Sequence, residues 1–331
     1  MKIPNKYLLL LLLLLPAALS CVPEELDLSL WNAYRNPLVA GDIRNPDVLE
    51  DDGIWYLYSD GTTAEVIQIR SSADLVQWGD LDPVFDEETK PSFISGGTVS
   101  GPSVIRFQDR VLLYYCLWKS ATECGIGVAS APSPTGPWTD HGAVVTAASL
   151  GLTGLCDPFC LETDGALWLA FRSASGIHLL SLATTGLEPA SGATPALVTD
   201  AALDTPVFFN RDGVWYFLAS AGTRTAGASS TAVTTVGSAP ALTGPYGEWK
   251  NLLTRSAKFA GPAAPARPVL DNEGNWWLLY NAYDLSNVST GRTLMLDRLN
   301  WDGEDVPWVR GGIPSFYTNA PVVELPTPAK E

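Results

Sequence analysis

One sequence unit occurs five times along this chain and constrains the fold more than any other feature. Each copy begins with a proline that leads an apolar segment, passes through a short polar turn, and ends in an aromatic-rich segment. The prolines are Pro46, Pro102, Pro158, Pro206 and Pro268. A repeat of roughly 50 residues with strand–turn–strand content is typical of a β-propeller with one blade per repeat. The sequence therefore predicts an all-β fold, a five-bladed β-propeller.

The residue before each of these prolines is predicted to face the central channel near its mouth. In a propeller the first strand of each blade lines the channel, and proline fits the first residue of a strand because few ladder hydrogen bonds are lost there. The five residues at these positions are Asn45, Gly101, Asp157, Thr205 and Arg267. The Asp-Gly turns that follow suit tight hairpins, since glycine tolerates positive φ.

The N-terminus has the pattern of an export signal. Lys2 and Lys6 precede a leucine-rich segment that is too short to span a membrane comfortably. Residues 18–21 (Ala-Leu-Ser-Cys) resemble a bacterial lipobox, which implies cleavage before Cys21 and its acylation. We predict a lipoprotein-type signal peptide over 1–20, a tether over 21–35 and a single propeller domain over 36–325. A cell-envelope lipoprotein, periplasmic or on the cell surface, is favoured, and a plain secreted protein is the alternative.

Composition limits the partners and the metal chemistry. The formal net charge of −16 argues against nucleic acid as a partner, because phosphate binding needs a basic face. An exported protein meets oxidising conditions, so a disulfide between Cys116 and Cys124 across one hairpin is plausible. Cys156 and Cys160 would lie about 13 Å apart on an extended strand, too far to bond each other. Only two histidines are present, neither near the cysteines, and no cofactor or metal site is predicted.

Several short motifs resemble one known family. Residues 43–48 (Ile-Arg-Asn-Pro-Asp-Val), 72–78 (Ser-Ala-Asp-Leu-Val-Gln-Trp) and 133–138 (Ser-Pro-Thr-Gly-Pro-Trp) stand in order along the chain. Gly-Arg at 291–292 is followed by Leu-Asn-Trp-Asp-Gly at 299–303. Together, over most of residues 38–315, they resemble glycoside hydrolase family 43, five-bladed propellers that cut arabinose- and xylose-containing polysaccharides.

The resemblance implies a set of catalytic residues. Glycoside hydrolysis uses two carboxyl groups that flank the bond to be cut. The family's general acid precedes the fourth-blade proline by two residues, which corresponds to Asp204, and Asp157 matches the acid that tunes it. The family's general base stands before the first-blade proline, where this chain has Asn45. The fifth-blade histidine that helps to hold a central metal or water in the family is absent from residues 261–266.

The missing base leaves two alternatives in the first blade. Asp47 points to the same face of the strand as Asn45 but lies about 6.6 Å farther along it, and Asp42 lies in the preceding loop. Asn45, Arg172 and Arg267 are candidate substrate-binding residues, because their polar groups could bind sugar hydroxyls near the channel.

Two functions from different classes remain open. The first is an exported family 43 hydrolase that cuts α-L-arabinofuranosyl or β-xylosyl linkages by inversion. In it Asp204 is the acid, Asp157 tunes and orients that acid, and Asp47 or Asp42 serves as the base. The second is a catalytically inactive carbohydrate-binding propeller derived from such an enzyme. In either case the expected partner is an arabinose- or xylose-containing polysaccharide or oligosaccharide, and contact with a membrane is expected only through the lipid anchor at Cys21.

Overall fold

The structure is a computed structural model that describes residues 32–61, 66–303 and 305–323. These residues form five antiparallel sheets and one small terminal sheet, and the single α-helix in the described part is α1 (Ala147–Leu150). The predicted five-bladed β-propeller is therefore confirmed. No helix within the described part of the chain has the length and apolar character needed to cross a membrane.

The strands follow one another from the channel outward in each blade. The short strand β1 (Ala33–Arg35) comes first. Blade one contains β2 (Asp47–Asp51), β3 (Ile54–Ser59), β4 (Gln68–Ser72) and β5 (Gly79–Leu81). Blade two contains β6 (Thr98–Phe107), β7 (Arg110–Trp118), β8 (Cys124–Ala131) and β9 (Thr139–Thr146). Blade three contains β10 (Cys156–Thr163), β11 (Ala166–Ser173), β12 (Gly176–Ser181) and β13 (Ala196–Thr199).

The last two blades continue the pattern with one addition. Blade four contains β14 (Leu203–Arg211), β15 (Val214–Ala221), β16 (Val233–Ala239) and β17 (Gly247–Leu253). Blade five contains β18 (Phe259–Ala263), β19 (Val269–Leu270), β20 (Trp276–Asp284), β21 (Arg292–Trp301) and β22 (Pro307–Trp308). Both β18 and β19 pair with β20, so the inner strand of blade five is interrupted. The chain ends its described part with β23 (Tyr317–Asn319).

The inner strands share a bend at the residue before the proline. Asn45, Asp157 and Thr205 have φ values of 47°, 51° and 51°, a region that non-glycine residues seldom adopt. Gly101 in blade two has a φ of 60°, and in blade five the corresponding residue is Ala264, with a φ of 47°, before Pro265. The prediction that Arg267 and Pro268 begin the fifth inner strand is therefore wrong. The repeat contains several prolines there, and the sequence pattern did not show which one bends the strand.

Each pair of neighbouring blades is joined near the channel by a direct link between inner-strand or second-strand residues. The links are Asp60–Gly101 at 2.6 Å, the Cys116–Cys156 disulfide, Asp157–Thr205 at 3.2 Å, Ser220–Ala264 at 2.7 Å, and Asp47–Arg267 at 3.2 Å. In the four hydrogen-bonded links a side-chain oxygen accepts from a backbone N–H of the neighbouring blade. The channel wall is therefore closed around the whole ring by four hydrogen bonds and one disulfide.

The disulfide corrects a prediction. Cys116 bonds Cys156, with a Cα–Cα separation of 5.2 Å, while Cys124 and Cys160 are free and buried. The predicted Cys116–Cys124 pairing is wrong because Cys124 lies across the ladder from Trp118, two residues beyond Cys116. The actual partner belongs to the adjacent blade.

The ring is completed by the two ends of the described chain. Strand β1 pairs with β23, and the Tyr34 hydroxyl donates to the carbonyl of Leu296 at 2.5 Å. The Asn36 amide both donates to and accepts from the backbone of Leu296. These contacts attach the N-terminal segment to blade five.

Residues 33–35, at the end of the predicted tether, are part of the propeller because β1 pairs with β23. The predicted signal peptide and Cys21 lie outside the described residues.

Candidate active site

A small cavity at the centre of the propeller is framed by the bent inner strands. Its wall includes all five pre-proline residues together with the prolines that follow them. The pre-proline residues are Asn45, Gly101, Asp157, Thr205 and Ala264. Residues held in such unusual backbone conformations often cluster at functional sites. Four of the five residues predicted to face the channel therefore do so.

A second ring of residues stands beside the first, on the ends of the second strands. In three blades the pre-proline side chain contacts the residue fifteen positions later, which we call its partner residue. The three pairs are Asn45–Asp60 at 2.9 Å, Asp157–Arg172 at 3.2 Å and Thr205–Ser220 at 2.7 Å. Because both members lie on one hairpin, the blade geometry itself brings them together.

The two predicted acids of blades three and four share the same arginines. Arg172 Nε lies 3.2 Å from Asp157 Oδ2 and 3.0 Å from Asp204 Oδ1. Arg224 Nε lies 3.3 Å from Asp204 Oδ2, and its Nη2 lies 3.6 Å from Asp157 Oδ2. The predicted acid and the predicted tuning residue are thus held side by side by two guanidinium groups.

The two carboxyl groups differ in exposure and in proton affinity. The Asp157 side chain is 5% exposed, whereas that of Asp204 is 33% exposed. Burial acts to raise the pKa of Asp157, but Arg224 and Arg172 outweigh it and the pKa is lowered. Burial raises the pKa of Asp204, and the negative charge of Asp157 adds to that effect against the opposing arginines. Asp157 is therefore the ionised neighbour of a group that holds its proton more readily.

Across the mouth, the amide of Asn45 joins two charged groups. Its Nδ2 donates to Asp60 Oδ2 at 2.9 Å, and its Oδ1 accepts from Arg224 Nη1 at 3.1 Å. Arg224 is anchored in turn by its backbone carbonyl, which accepts from the Tyr283 hydroxyl at 3.2 Å. The Asn45 amide and the Asp204 carboxylate therefore lie on two edges of one guanidinium group.

Asp60 is a buried carboxyl group at this site. It is 5% exposed, and its Oδ1 accepts from the backbone N–H of Gly101 at 2.6 Å. Burial raises the pKa of Asp60 to about 6, against the lowering effects of the Gly101 hydrogen bond, Arg44 and Arg292. The negative charge of Asp157 also raises the pKa of Asp60. The carboxyl groups of blades one and three therefore interact electrostatically across the mouth.

Asp47 lies within the channel wall. It is 3% exposed, and its Oδ2 accepts from the backbone N–H of Val104 at 2.9 Å and from the Ser103 hydroxyl at 3.2 Å. Its Oδ1 accepts from the backbone N–H of Arg267 at 3.2 Å. Both oxygens therefore join blade one to its two neighbours, an arrangement that does not favour Asp47 as the general base.

The other predicted residues are divided between the mouth and the wall. Arg172 lies at the mouth between the two acids, as described above. Arg267 donates through Nη2 to the carbonyl of Cys160 at 2.6 Å and lies over the ring of Phe159 at 4.4 Å. Its contacts thus lie with the inner strands, including an ion pair of 3.8 Å between its Nη2 and Asp47 Oδ2. Asp42 makes ion pairs with Arg44 at 3.1 Å and Arg292 at 3.7 Å.

Sequence reasoning missed Asp60 and Arg224. Asp60 could have been found from its spacing, because it follows Asn45 by the same fifteen residues that separate Asp157 from Arg172. Arg224 offers no such signal, since it lies in the irregular segment between β15 and β16. Only the closed ring brings that segment over the residues of blade one.

The residues present do not fit a central metal. The fifth-blade segment at the cavity contributes Ala264 and Pro265, which offer no side-chain ligand. In the described ranges no group of three or more His, Cys, Asp or Glu side chains is arranged to hold a metal ion. No step below depends on a metal.

Several known proteins are similar to this chain. Arabinan endo-1,5-alpha-L-arabinosidase C of Emericella nidulans is 31% identical over 203 residues, which cover 56% of this chain and 61% of that protein. The alpha-L-arabinanase of Cellvibrio cellulosa, solved with arabinohexaose, aligns with a TM-score of 0.72 at 22% identity over 82% of this chain and 96% of its own. A xylan beta-1,4-xylosidase from Bacillus halodurans aligns with a TM-score of 0.75 at 17% identity, over 90% of this chain and 60% of its own.

The two structural likenesses show the shared fold, and the matched segment spans less than two thirds of the fungal relative. The family itself follows from a different comparison. The profile described as "Glycosyl hydrolases family 43" matches residues 34–307, which contain the inner strands of all five blades and every mouth residue named above. The chain belongs to glycoside hydrolase family 43.

Proposed function

We propose that this protein is an inverting glycoside hydrolase that cuts α-L-arabinofuranosyl or β-xylosyl linkages in arabinose- or xylose-containing polysaccharides. The observation that carries the proposal is the pairing of Asp204 with Asp157 between Arg172 and Arg224 at the channel mouth. The sequence similarity to an arabinan endo-1,5-alpha-L-arabinosidase supports arabinan as the first substrate to test.

Asp204 is the proposed general acid. It is the more exposed of the two carboxyl groups, so a glycosidic oxygen can reach it, and its raised pKa favours the protonated form that such an acid needs. As the bond to the sugar breaks, the Asp204 proton passes to the leaving oxygen. Asp157 does not transfer a proton; its buried charge raises the proton affinity of Asp204.

The arginines position the acid. Arg172 and Arg224 hold the two oxygens of Asp204 from different sides, which fixes the direction in which its proton is presented. Asn45 lies across the mouth, where it is suited to bind a sugar hydroxyl. In an inverting enzyme the group that activates water lies on the opposite face of the sugar, about 6.5–9.5 Å from the acid. Blade one is therefore the proposed source of that group.

Export to the cell envelope forms part of the proposal. A signal peptide cut before Cys21, with acylation of that cysteine, would hold the enzyme at a membrane surface where polysaccharide is encountered. The Cys116–Cys156 disulfide supports an oxidising compartment, because disulfides are rare in reducing ones. Mass spectrometry of the mature N-terminus tests this part, and a protein that retains residues 1–20 would contradict it.

A second candidate function is carbohydrate binding without hydrolysis. One observation favours it: Asn45 stands where the family resemblance implies a carboxylate, and an amide cannot accept the proton of the attacking water. Such a protein would keep the fold and the polar mouth but release no sugar.

Release of sugar from arabinan, arabinoxylan and aryl arabinofuranosides and xylosides tests the proposal. The hydrolase hypothesis predicts that the wild type releases sugar of inverted anomeric configuration, as seen by NMR, and that Asp204→Asn releases none. Asp200→Asn, an exposed change four residues away, is the matched control and should behave as wild type. Polysaccharide binding with no release from any substrate would instead establish the second candidate.

A further inference from the structure

The first-blade pair carries one carboxyl group, but on the second member of the pair. Asn45 occupies the pre-proline position and Asp60 is its partner residue, with 2.9 Å between Nδ2 and Oδ2. In blade three the carboxyl group is on the pre-proline residue, Asp157, and the partner residue is Arg172. The first blade therefore presents a carboxylate one hydrogen bond away from the position where the resemblance implies the base.

We propose that Asp60 is the general base of this enzyme, taking the place of the missing carboxylate at position 45. This inference rests on the proposed hydrolase function. Asp47 bonds blades two and five, and Asp42 is ion-paired with Arg44 and Arg292. Asp60 is the first-blade acid that hydrogen-bonds Asn45 directly.

The neighbouring blade contributes a backbone donor beside Asp60. The backbone N–H of Gly101 contacts Asp60 Oδ1, and Gly101 is the one pre-proline position with no side chain. A Cβ added there would meet no atom nearer than 3.6 Å, the closest being Cδ of Pro158. Blade two therefore meets the Asp60 carboxyl group through its backbone, with no side chain of its own at that position.

Charges around Asp60 suit a base that works near neutral pH. Burial raises its pKa to about 6, so the group is mostly ionised above that pH and still basic enough to accept a proton. The charged groups that act on it come from three blades: Arg44 from blade one, Arg292 from blade five and Asp157 from blade three. Arg224 of blade four reaches the pair through Asn45.

The step balances without a further reactant. A water oxygen attacks the anomeric carbon and forms the new C–O bond, while its proton passes to a carboxylate oxygen of Asp60. The bond between the anomeric carbon and the glycosidic oxygen breaks, and that oxygen takes the proton of Asp204. The Asn45 amide holds the Asp60 carboxylate in orientation through its 2.9 Å hydrogen bond.

The decisive variants exchange the amide and the carboxyl group. Asp60→Asn should lower kcat by about 10²–10⁴-fold with a small change in KM, and should remove the acid limb of the pH–rate profile near pH 6. Azide should restore turnover in Asp60→Asn, giving a glycosyl azide. The double variant Asn45→Asp with Asp60→Asn keeps the same pair of groups with the carboxyl moved to position 45, and should recover activity. Asp52→Asn, exposed in the turn of the same hairpin, is the matched control.

Circular dichroism and thermal unfolding show whether each variant is folded, and the azide response separates lost chemistry from lost structure. A folded Asp60→Asn variant within about threefold of wild-type kcat, or an inactive one that neither azide nor the exchange restores, would overturn the role of Asp60. A wild type that releases no sugar from any substrate would overturn the hydrolase function itself, together with this inference.

Discussion

Asn45 Nδ2 donates a hydrogen bond of 2.9 Å to Asp60 Oδ2, so the first blade keeps a carboxyl group beside the position where the family resemblance implies one. The same pair touches Arg224, which also holds Asp204. Substitution of Asn45 is therefore expected to change the position of Arg224 and, through it, the environment of Asp204.

Asp47 is predicted to stabilise the fold and not to act in catalysis. Asp47→Asn places an NH₂ group among backbone N–H donors and should lower the free energy of unfolding by about 3 kcal/mol, since a buried, multiply bonded carboxylate is lost. Urea unfolding measures the loss, and kcat of the folded fraction should stay within about fivefold of wild type. A stable Asp47→Asn protein with a collapsed kcat would instead make Asp47 the base.

Arg224 is predicted to set the alkaline limb of the pH–rate profile. It lowers the pKa of Asp204, against the raising effect of burial, so Arg224→Gln should let Asp204 keep its proton to higher pH. The alkaline limb of kcat/KM should move to higher pH, with a lower maximal rate. Arg255→Gln, at an exposed arginine that donates to the Ala228 carbonyl, serves as control. An unmoved limb would show that Asp204 is not the titrating acid.

The Cys116–Cys156 disulfide is predicted to contribute substantially to stability. It closes a sequence separation of 40 residues, for which the loss of chain entropy in the unfolded state is worth about 4 kcal/mol. Replacing both cysteines by serine should lower Tm in calorimetry, and dithiothreitol should lower the Tm of the wild type but not that of the double variant. Non-reducing peptide mapping should find Cys124 unbonded; a Cys116–Cys124 peptide would contradict the structure.

Asp297 is predicted to make the fold more stable in acid. Burial raises its pKa from the ordinary 3.8 to about 6, against hydrogen bonds from Ser315 and Tyr280. The folded protein thus binds this proton more tightly than the unfolded chain, and the contribution is full below about pH 4 and lost as pH rises through 6.

The matching variant for this pH effect is Asp297→Asn. The stability of the wild type relative to Asp297→Asn should fall by about 2 kcal/mol between pH 4 and pH 7, as measured by urea unfolding at each pH. Asp109→Asn, an exposed turn residue, should show no such trend. A difference that is constant with pH would show that Asp297 does not titrate in this range.

The blades themselves could be predicted because their contacts are local. Each hairpin joins residues close in sequence, so a proline-led segment, a turn and an aromatic segment define it with little help from the rest of the chain. The same locality put Asp157 and Arg172 on one hairpin. Local pattern fails at blade five, because several nearby prolines hide the bend at Ala264 and the pattern predicts Arg267 at that position instead.

The sequence by itself determined the number of blades, the absence of a carboxyl group at position 45 and the presence of acids at 157 and 204. Only the tertiary structure decided which groups meet between blades. Cys116 bonds Cys156 rather than Cys124, and Arg224 reaches Asn45 across 179 residues of sequence. Contacts of this kind depend on how the ring closes and on the course of irregular segments, which no local pattern encodes.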